Sequence, residues 1–152
     1  MRGPNVMLGY LKLEKPGVLE APPDGWHDTG DIVTVDAQDF VTIKGRAKRF
    51  AKIGGEMVPH IKVEELISSL TGGAPCAVTG LPDDRKGERL AVLYTASGMP
   101  KDELWRRLSE TDLPKLWIPK QSDMHLVNEL PVLGTGKLDL RKVRAKAQEL
   151  AE

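Results

Sequence analysis

The chain has 152 residues, enough for one domain or for one domain plus a piece of another. Its 22 basic and 22 acidic residues cancel, so it lacks the net positive face that nucleic acid or an anionic membrane surface demands. A single cysteine, Cys76, excludes an intramolecular disulfide and a cysteine-rich metal site, and favours a reducing compartment. Aromatic residues make up 5%, so the core must be mainly aliphatic. No run approaches the ~20 apolar residues of a membrane-spanning helix. Met1–Asn5 has no apolar segment of the kind a signal peptide carries.

Residues 1–25 place Pro or Gly at nearly every turn: Gly3-Pro4, Gly9, Pro16-Gly17, Pro22-Pro23, Gly25. They read as loop with short strand pieces, not as a self-contained unit. Asp31–Val35 and Phe40–Lys44 are β-branched runs joined by Asp36–Asp39, the pattern of a hairpin that Gly45-Arg46 ends. Arg46–Lys52 carries four cations in seven residues and is followed by Gly54-Gly55. A helix is predicted from Pro59, with Val63, Leu66, Ile67 and Leu70 on one stripe and Gly72-Gly73 at its end. Cys76–Gly80 and Arg89–Thr95 read as two antiparallel strands joined by a charged loop. A second helix covers about 101–110, with Leu104, Trp105 and Leu108 inward. A third strand spans about 124–127. The last helix begins after Lys137, with Leu140, Val143, Ala147 and Leu150 in register.

Three segments could carry chemistry. Thr29-Gly30-Asp31 puts a carboxylate at the mouth of the hairpin, where two acceptor oxygens suit a vicinal diol. In Gly45–Gly55, Phe50 and Ile53 interrupt the cations, and the glycines permit a sharp turn where composition shifts, as at a hinge. In Pro131-Val132-Leu133-Gly134-Thr135-Gly136-Lys137, a lysine stands on a Gly-rich turn as a point charge for carboxylate or phosphate. This last segment is not a P-loop: only Thr135 separates its glycines, and Leu138 follows the lysine. Each segment alone is equally an ordinary turn or a solvated basic face.

Together the three, in this order, resemble the C-terminal part of the adenylate-forming superfamily: acyl-CoA synthetases, luciferases and peptide-synthetase adenylation domains. Gly3–Tyr10 resembles the segment those enzymes carry upstream of Thr-Gly-Asp. Within the superfamily, Gly3–Tyr10, Glu14–Glu20, Gly45–Ile53 and Gly55–Val58 resemble the bacterial bifunctional acyl-ACP synthetases / 2-acylglycerophosphoethanolamine acyltransferases.

The resemblance implies an α+β fold: a C-terminal remnant of the large AMP-binding domain in residues 1–47, holding the hairpin, and a mobile lid in residues 48–152. The lid is expected to have a roughly three-stranded sheet and about three helices. It implies ATP- and Mg²⁺-dependent formation of an acyl-adenylate, then transfer of the acyl group to a thiol on CoA or on the phosphopantetheine of acyl carrier protein. By matching position, Asp31 would bind the ribose hydroxyls and Arg46 the nucleotide. Lys48 would be the hinge, and Lys137 the catalytic lysine of adenylation. Lys52 and Gly55 would face the incoming pantetheine after the lid rotates. No metal ligand is assigned to this chain, because Mg²⁺ and most of ATP would be held by the large domain. The acid would be a fatty acid, and phospholipid acyl-chain recycling at the cytoplasmic face of the bacterial inner membrane is the implied setting.

Two departures touch the acceptor side. Pro59 falls one place early for the family pattern, and Lys62 replaces a glutamate. No phosphate loop or acyl pocket is present, so the chain is expected to be an inactive fragment on its own. The alternatives are a non-catalytic module whose basic stretch docks an acidic carrier protein, and a free-standing nucleotide-binding domain. His27, His60 and His125 have no ligand spacing and read as surface or helix-terminal residues. Cys76, Trp26 and Trp105 read as packing, and Trp117 is an interface candidate.

Overall fold

The computed structural model describes residues 1–96 and 98–151. The chain divides into two compact units, Met1–Ala47 and Lys48–Glu152.

In the first unit, β1 (Tyr10–Leu11) pairs antiparallel with β2 (Leu19–Glu20). The strands approach so closely that a Cβ on Gly9 would sit 2.3 Å from the Glu20 carbonyl oxygen. Lys12 and Lys15 both reach the Glu20 carboxylate and hold it below the usual carboxylate range. The second pair is β3 (Asp31–Val35) and β4 (Val41–Arg46), antiparallel with a bulge between Ile32 and Val33. Asp36 closes their turn: its Oδ1 accepts from the Gln38 and Phe40 amides, each at 2.9 Å. Asp39 takes a φ of 64°, which a short polar side chain tolerates. Val33 lies opposite Ile43 and Val35 opposite Val41, so four β-branched side chains share one face. All four are exposed, and no residue of 1–47 is fully buried. Trp26, expected to pack, is exposed as well.

The second unit is an α+β domain. Its chain order is β5 (Phe50–Ile53), β6 (Glu56–Pro59), α1 (His60–Leu70), β7 (Cys76–Asp83), β8 (Gly87–Tyr94), α2 (Lys101–Ser109), β9 (Met124–Leu126) and α3 (Leu140–Ala151). The strands form one five-stranded sheet in the order β6-β5-β8-β7. All its pairings are antiparallel except β9, which runs parallel to the end of β8. Helices cover both faces, so β7 and β8 are apolar on both sides. On one face Ile53, Val78, Val92 and Met124 pack with Val63 and Ile67 of α1 and Leu104 and Leu108 of α2. On the other, Ala77, Leu81, Ala91 and Leu93 pack with Val143 and Ala147 of α3. Truncating a fully buried leucine such as Leu108 to alanine would cost about 2–5 kcal/mol.

The sheet has five strands, not three, because Phe50–Pro59 is itself a hairpin. Ala51 and Ile53 point inward while Lys52 points out, an alternation that the surrounding Arg and Lys obscure in the sequence. Helix α3 starts two residues later than Leu138. Asp139 caps it, its Oδ1 accepting from the Lys142 amide at 3.2 Å. Of its four apolar positions only Val143 and Ala147 are fully buried; Leu140 and Leu150 are exposed.

Candidate functional site

The hairpin of the first unit brings Asp31 and Arg46 into direct register. The approach to Asp31 is built by two short-range bonds. Gly30 N donates to Asp28 Oδ1 at 2.8 Å, and Asp31 N donates to Thr29 Oγ1 at 3.3 Å. Gly30 has a φ of 69°, a left-handed turn that glycine adopts without cost. Arg46 Nη1 donates to the Thr29 carbonyl at 2.7 Å and lies 3.0 Å from Asp31 Oδ1. The guanidinium therefore fixes both the turn and the carboxylate. Asp31 Oδ2 has no bond among the described residues, which leaves it free to accept from a hydroxyl.

Lys137 sits in the second unit on a narrow antiparallel turn. Leu133 N donates to the Lys137 carbonyl at 2.7 Å, and Val132 bridges Leu138. Asp139 N donates to Pro131 O at 2.9 Å, and Gly136 N to Leu133 O at 2.8 Å, with Gly136 at a φ of 80°. The backbone of Lys137 is thus fixed on both sides while its side chain is exposed. It makes no ion pair among the described residues.

Lys48 lies in one 3₁₀ turn, Ala47–Arg49, between β4 and β5, and its side chain is exposed. Lys52 and Gly55 share the β5–β6 hairpin. Gly54 and Gly55 have φ values of 57° and 89°, the two positive angles a type I′ turn requires. Lys52 N donates to Glu88 Oε2 at 2.6 Å, tying the hairpin to β8, while its ammonium points to solvent. Trp117 braces the far side, its Nε1 donating to Glu56 Oε1 at 2.8 Å. The structure therefore places Lys52 and Gly55 together. Asp31 and Arg46 belong to one unit, and Lys48, Lys52, Gly55 and Lys137 to the other.

A buried polar cluster escaped the sequence reading. Arg49 Nη2 pairs with Glu64 Oε2, and Glu64 Oε1 accepts from the Val78 amide at 2.7 Å. Burial pushes the Glu64 carboxyl up, against the opposing pull of the Val78 amide and Arg49. His60, the first residue of α1, is only 4% exposed. Burial, aided by the nearby Arg49 charge, lowers its pKa to about 4. It is helix-terminal, but it is not a surface residue. Cys76 Sγ lies 3.4 Å from the Glu64 carbonyl, and burial together with the Glu64 charge pushes its thiol up to about 12. A thiol so protonated is no nucleophile. Trp105 packs against the core, its Nε1 donating to Pro119 O at 3.1 Å. Among the described residues no three His, Cys, Asp or Glu side chains cluster as metal ligands, and no helix is long and apolar enough to cross a membrane.

The second unit is a small α+β domain that carries a lysine on a turn whose backbone is bonded on both sides. The family model described as "AMP-binding enzyme C-terminal domain" matches residues 62–137, half of the chain, and the chain belongs to that family. It is 31% identical over its whole length to a probable acyl-activating enzyme 6 of Arabidopsis thaliana, of which it covers 28%. It is 34% identical, over 96% of its length, to a 2-succinylbenzoate–CoA ligase of Bacillus pumilus, of which it covers 29%. The crystal structure of ATP-bound MatB from Rhodopseudomonas palustris superimposes with a TM-score of 0.74 at 25% identity, over 99% of this chain and 30% of that one. The chain thus spans less than a third of the length of these relatives.

Proposed function

We propose that the chain is the lid-bearing C-terminal part of an ATP-dependent ligase that activates a fatty acid as its acyl-adenylate. The ligase then passes the acyl group to a phosphopantetheine thiol. The observation that carries this reading is Lys137: a cation with a fixed backbone, an exposed side chain and no ion-pair partner among the described residues. Such an ammonium can lie between a substrate carboxylate and the α-phosphate of ATP, offsetting the repulsion of two anions as they approach. Asp31, oriented by Arg46, would accept from the ribose hydroxyls, and Arg46 would also contact the nucleotide.

Residues 1–47 would complete the large domain. Their exposed valines, Ile43 and Phe40 lack any core of their own, as expected of a piece that another domain covers. The 3₁₀ turn at Lys48 would be the hinge. After rotation, Lys52 and the Gly54-Gly55 turn would replace Lys137 at the reacting centre and admit the pantetheine. Mg²⁺ and most of the triphosphate would be held by the large domain.

The relatives named as CoA ligases support CoA as acceptor, whereas the exposed Lys48 and Lys52 suit the acidic surface of acyl carrier protein. With acyl carrier protein as acceptor, the setting would be phospholipid acyl-chain recycling on the cytoplasmic side of a bacterial inner membrane. The test supplies the full-length parent with ATP, Mg²⁺, a long-chain fatty acid and either CoA or holo-acyl carrier protein, and quantifies thioester. Thioester from aromatic acids alone would overturn the fatty-acid assignment. Docking without catalysis would leave Lys137 and Asp31 with no role, and their substitution would then change nothing.

A further inference from the structure

The body of the β5–β6 hairpin is anchored by Ala51, Ile53 and Val58 in the core, but its turn has no side chains to pack. The central residues are Gly54 and Gly55, and a Cβ at Gly55 would meet no atom within 4 Å. Lys52 and Met57, opposite each other in register, are both exposed. Three polar ties hold the turn instead. Lys52 N donates to Glu88 Oε2 at 2.6 Å, and Gly54 N donates to Lys86 O at 2.8 Å. These two fasten one end to the start of β8 and the loop before it. The other end is held at Glu56, the residue after Gly55, whose Oε1 accepts from Trp117 Nε1 at 2.8 Å.

Trp117 is itself firmly placed. It ends a single 3₁₀ turn, Lys115–Trp117, that lies between Pro114 and Pro119. Trp117 N donates to Pro114 O at 2.8 Å, and Pro119 O accepts from Trp105 Nε1 of α2 at 3.1 Å. Leu116 and Trp117 both pack against the main core. The indole N–H thus reaches Glu56 from a segment that is fixed without help from the hairpin. Burial does not require this bond, because Glu56 is exposed and water could satisfy its carboxylate. What the bond adds is position: a charged acceptor held by a fixed donor is a short, directional tie.

We propose that Trp117 is a positioning residue for thiol transfer. By holding Glu56 it sets the Gly54-Gly55 turn, beside Lys52, where the pantetheine enters. The inference rests on the reading of this hairpin as the thiol face of the lid. Adenylation depends on Lys137, on the separate turn between Pro131 and Asp139, and is indifferent to Trp117.

The test measures the two half-reactions separately in the full-length parent, beside a thermal melt. Trp117→Phe keeps an aromatic ring against the core and removes the donor. Thioester formation from supplied acyl-adenylate should fall about tenfold, while ATP–pyrophosphate exchange stays near the wild-type rate. Glu56→Ala, at an exposed position where folding should survive, should reproduce that split. Glu56→Gln, whose amide oxygen still accepts from the indole, should restore transfer. Unchanged transfer in Trp117→Phe and Glu56→Ala, or an equal fall in both half-reactions, would overturn the positioning role. Lys52→Ala, run in parallel, separates the two readings. If it impairs transfer while Trp117→Phe does not, the brace alone fails; if neither impairs transfer, the assignment of the thiol face fails with it.

Discussion

Arg46 Nη1 lies 3.0 Å from Asp31 Oδ1 across the β3–β4 hairpin, and the same nitrogen holds the Thr29 carbonyl. The arginine is 64% exposed, so the ion pair itself contributes at most about 1 kcal/mol to stability. Its larger effect is orientation. In the parent enzyme, Arg46→Ala should raise the KM for ATP about tenfold while shifting the melting temperature little. Steady-state kinetics beside a thermal melt checks this. A large loss of stability with unchanged KM would show the pair to be structural only.

Gly54 and Gly55 carry the two positive φ values of the β5–β6 turn. A Cβ at Gly55 would meet nothing within 4 Å, and one at Gly54 would only graze the Leu116 methyls at 4.0 Å. The penalty for alanine is therefore backbone strain alone, about 1–2 kcal/mol at each position. Denaturant unfolding of Gly54→Ala and Gly55→Ala measures it. Values near zero would mean the turn has another conformation.

His60 makes the second unit acid-sensitive. Its pKa falls from an ordinary 6.5 to about 4 in the fold, so the unfolded chain binds more protons between those values. Its contribution is complete above pH 6.5 and is lost as pH falls toward 4, a loss of about 3 kcal/mol. Glu64 acts in the opposite sense. Its raised pKa makes the fold lose stability as pH rises past the ordinary carboxylate value. The difference between the wild-type and His60→Gln stability curves isolates the histidine. A constant difference from pH 7 to pH 4 would contradict the assignment.

Among the described residues, all fully buried ones lie between Ala51 and Ala147. Residues 48–152 produced alone should unfold cooperatively with a melting temperature within a few degrees of the whole chain. Residues 1–47 alone should show no cooperative transition by calorimetry. A cooperative transition for 1–47 would overturn the view that this segment needs a covering domain.

The elements that announced themselves were those whose periodicity is undisturbed. The stripe Val63, Leu66, Ile67, Leu70 gives α1, and the apolar runs around Val78 and Val92 give β7 and β8. The β5–β6 hairpin was hidden because Arg49 and Lys52 flank its inward positions, so a strand looked like a charge run. Once Glu64 is known to receive Arg49, the same cations read as one structural and one exposed. That pairing spans 15 residues and two elements, and no local pattern encodes it. The parallel docking of β9 on β8 is likewise a tertiary fact. At the site, the Gly-Thr-Gly-Lys turn was legible from its glycines. The Leu133–Lys137 bond that fixes the backbone was not, since Leu133 looks like any strand-end residue.

Lys137→Ala in the full-length parent tests the adenylation role of this lysine most directly. ATP–pyrophosphate exchange reads adenylation, and thioester formation from supplied acyl-adenylate reads the second half-reaction. Exchange should fall about 10²–10³-fold, with transfer from the preformed adenylate largely intact. Exchange near the wild-type rate would contradict the role of this lysine, and with it the reading of residues 48–152 as a catalytic lid.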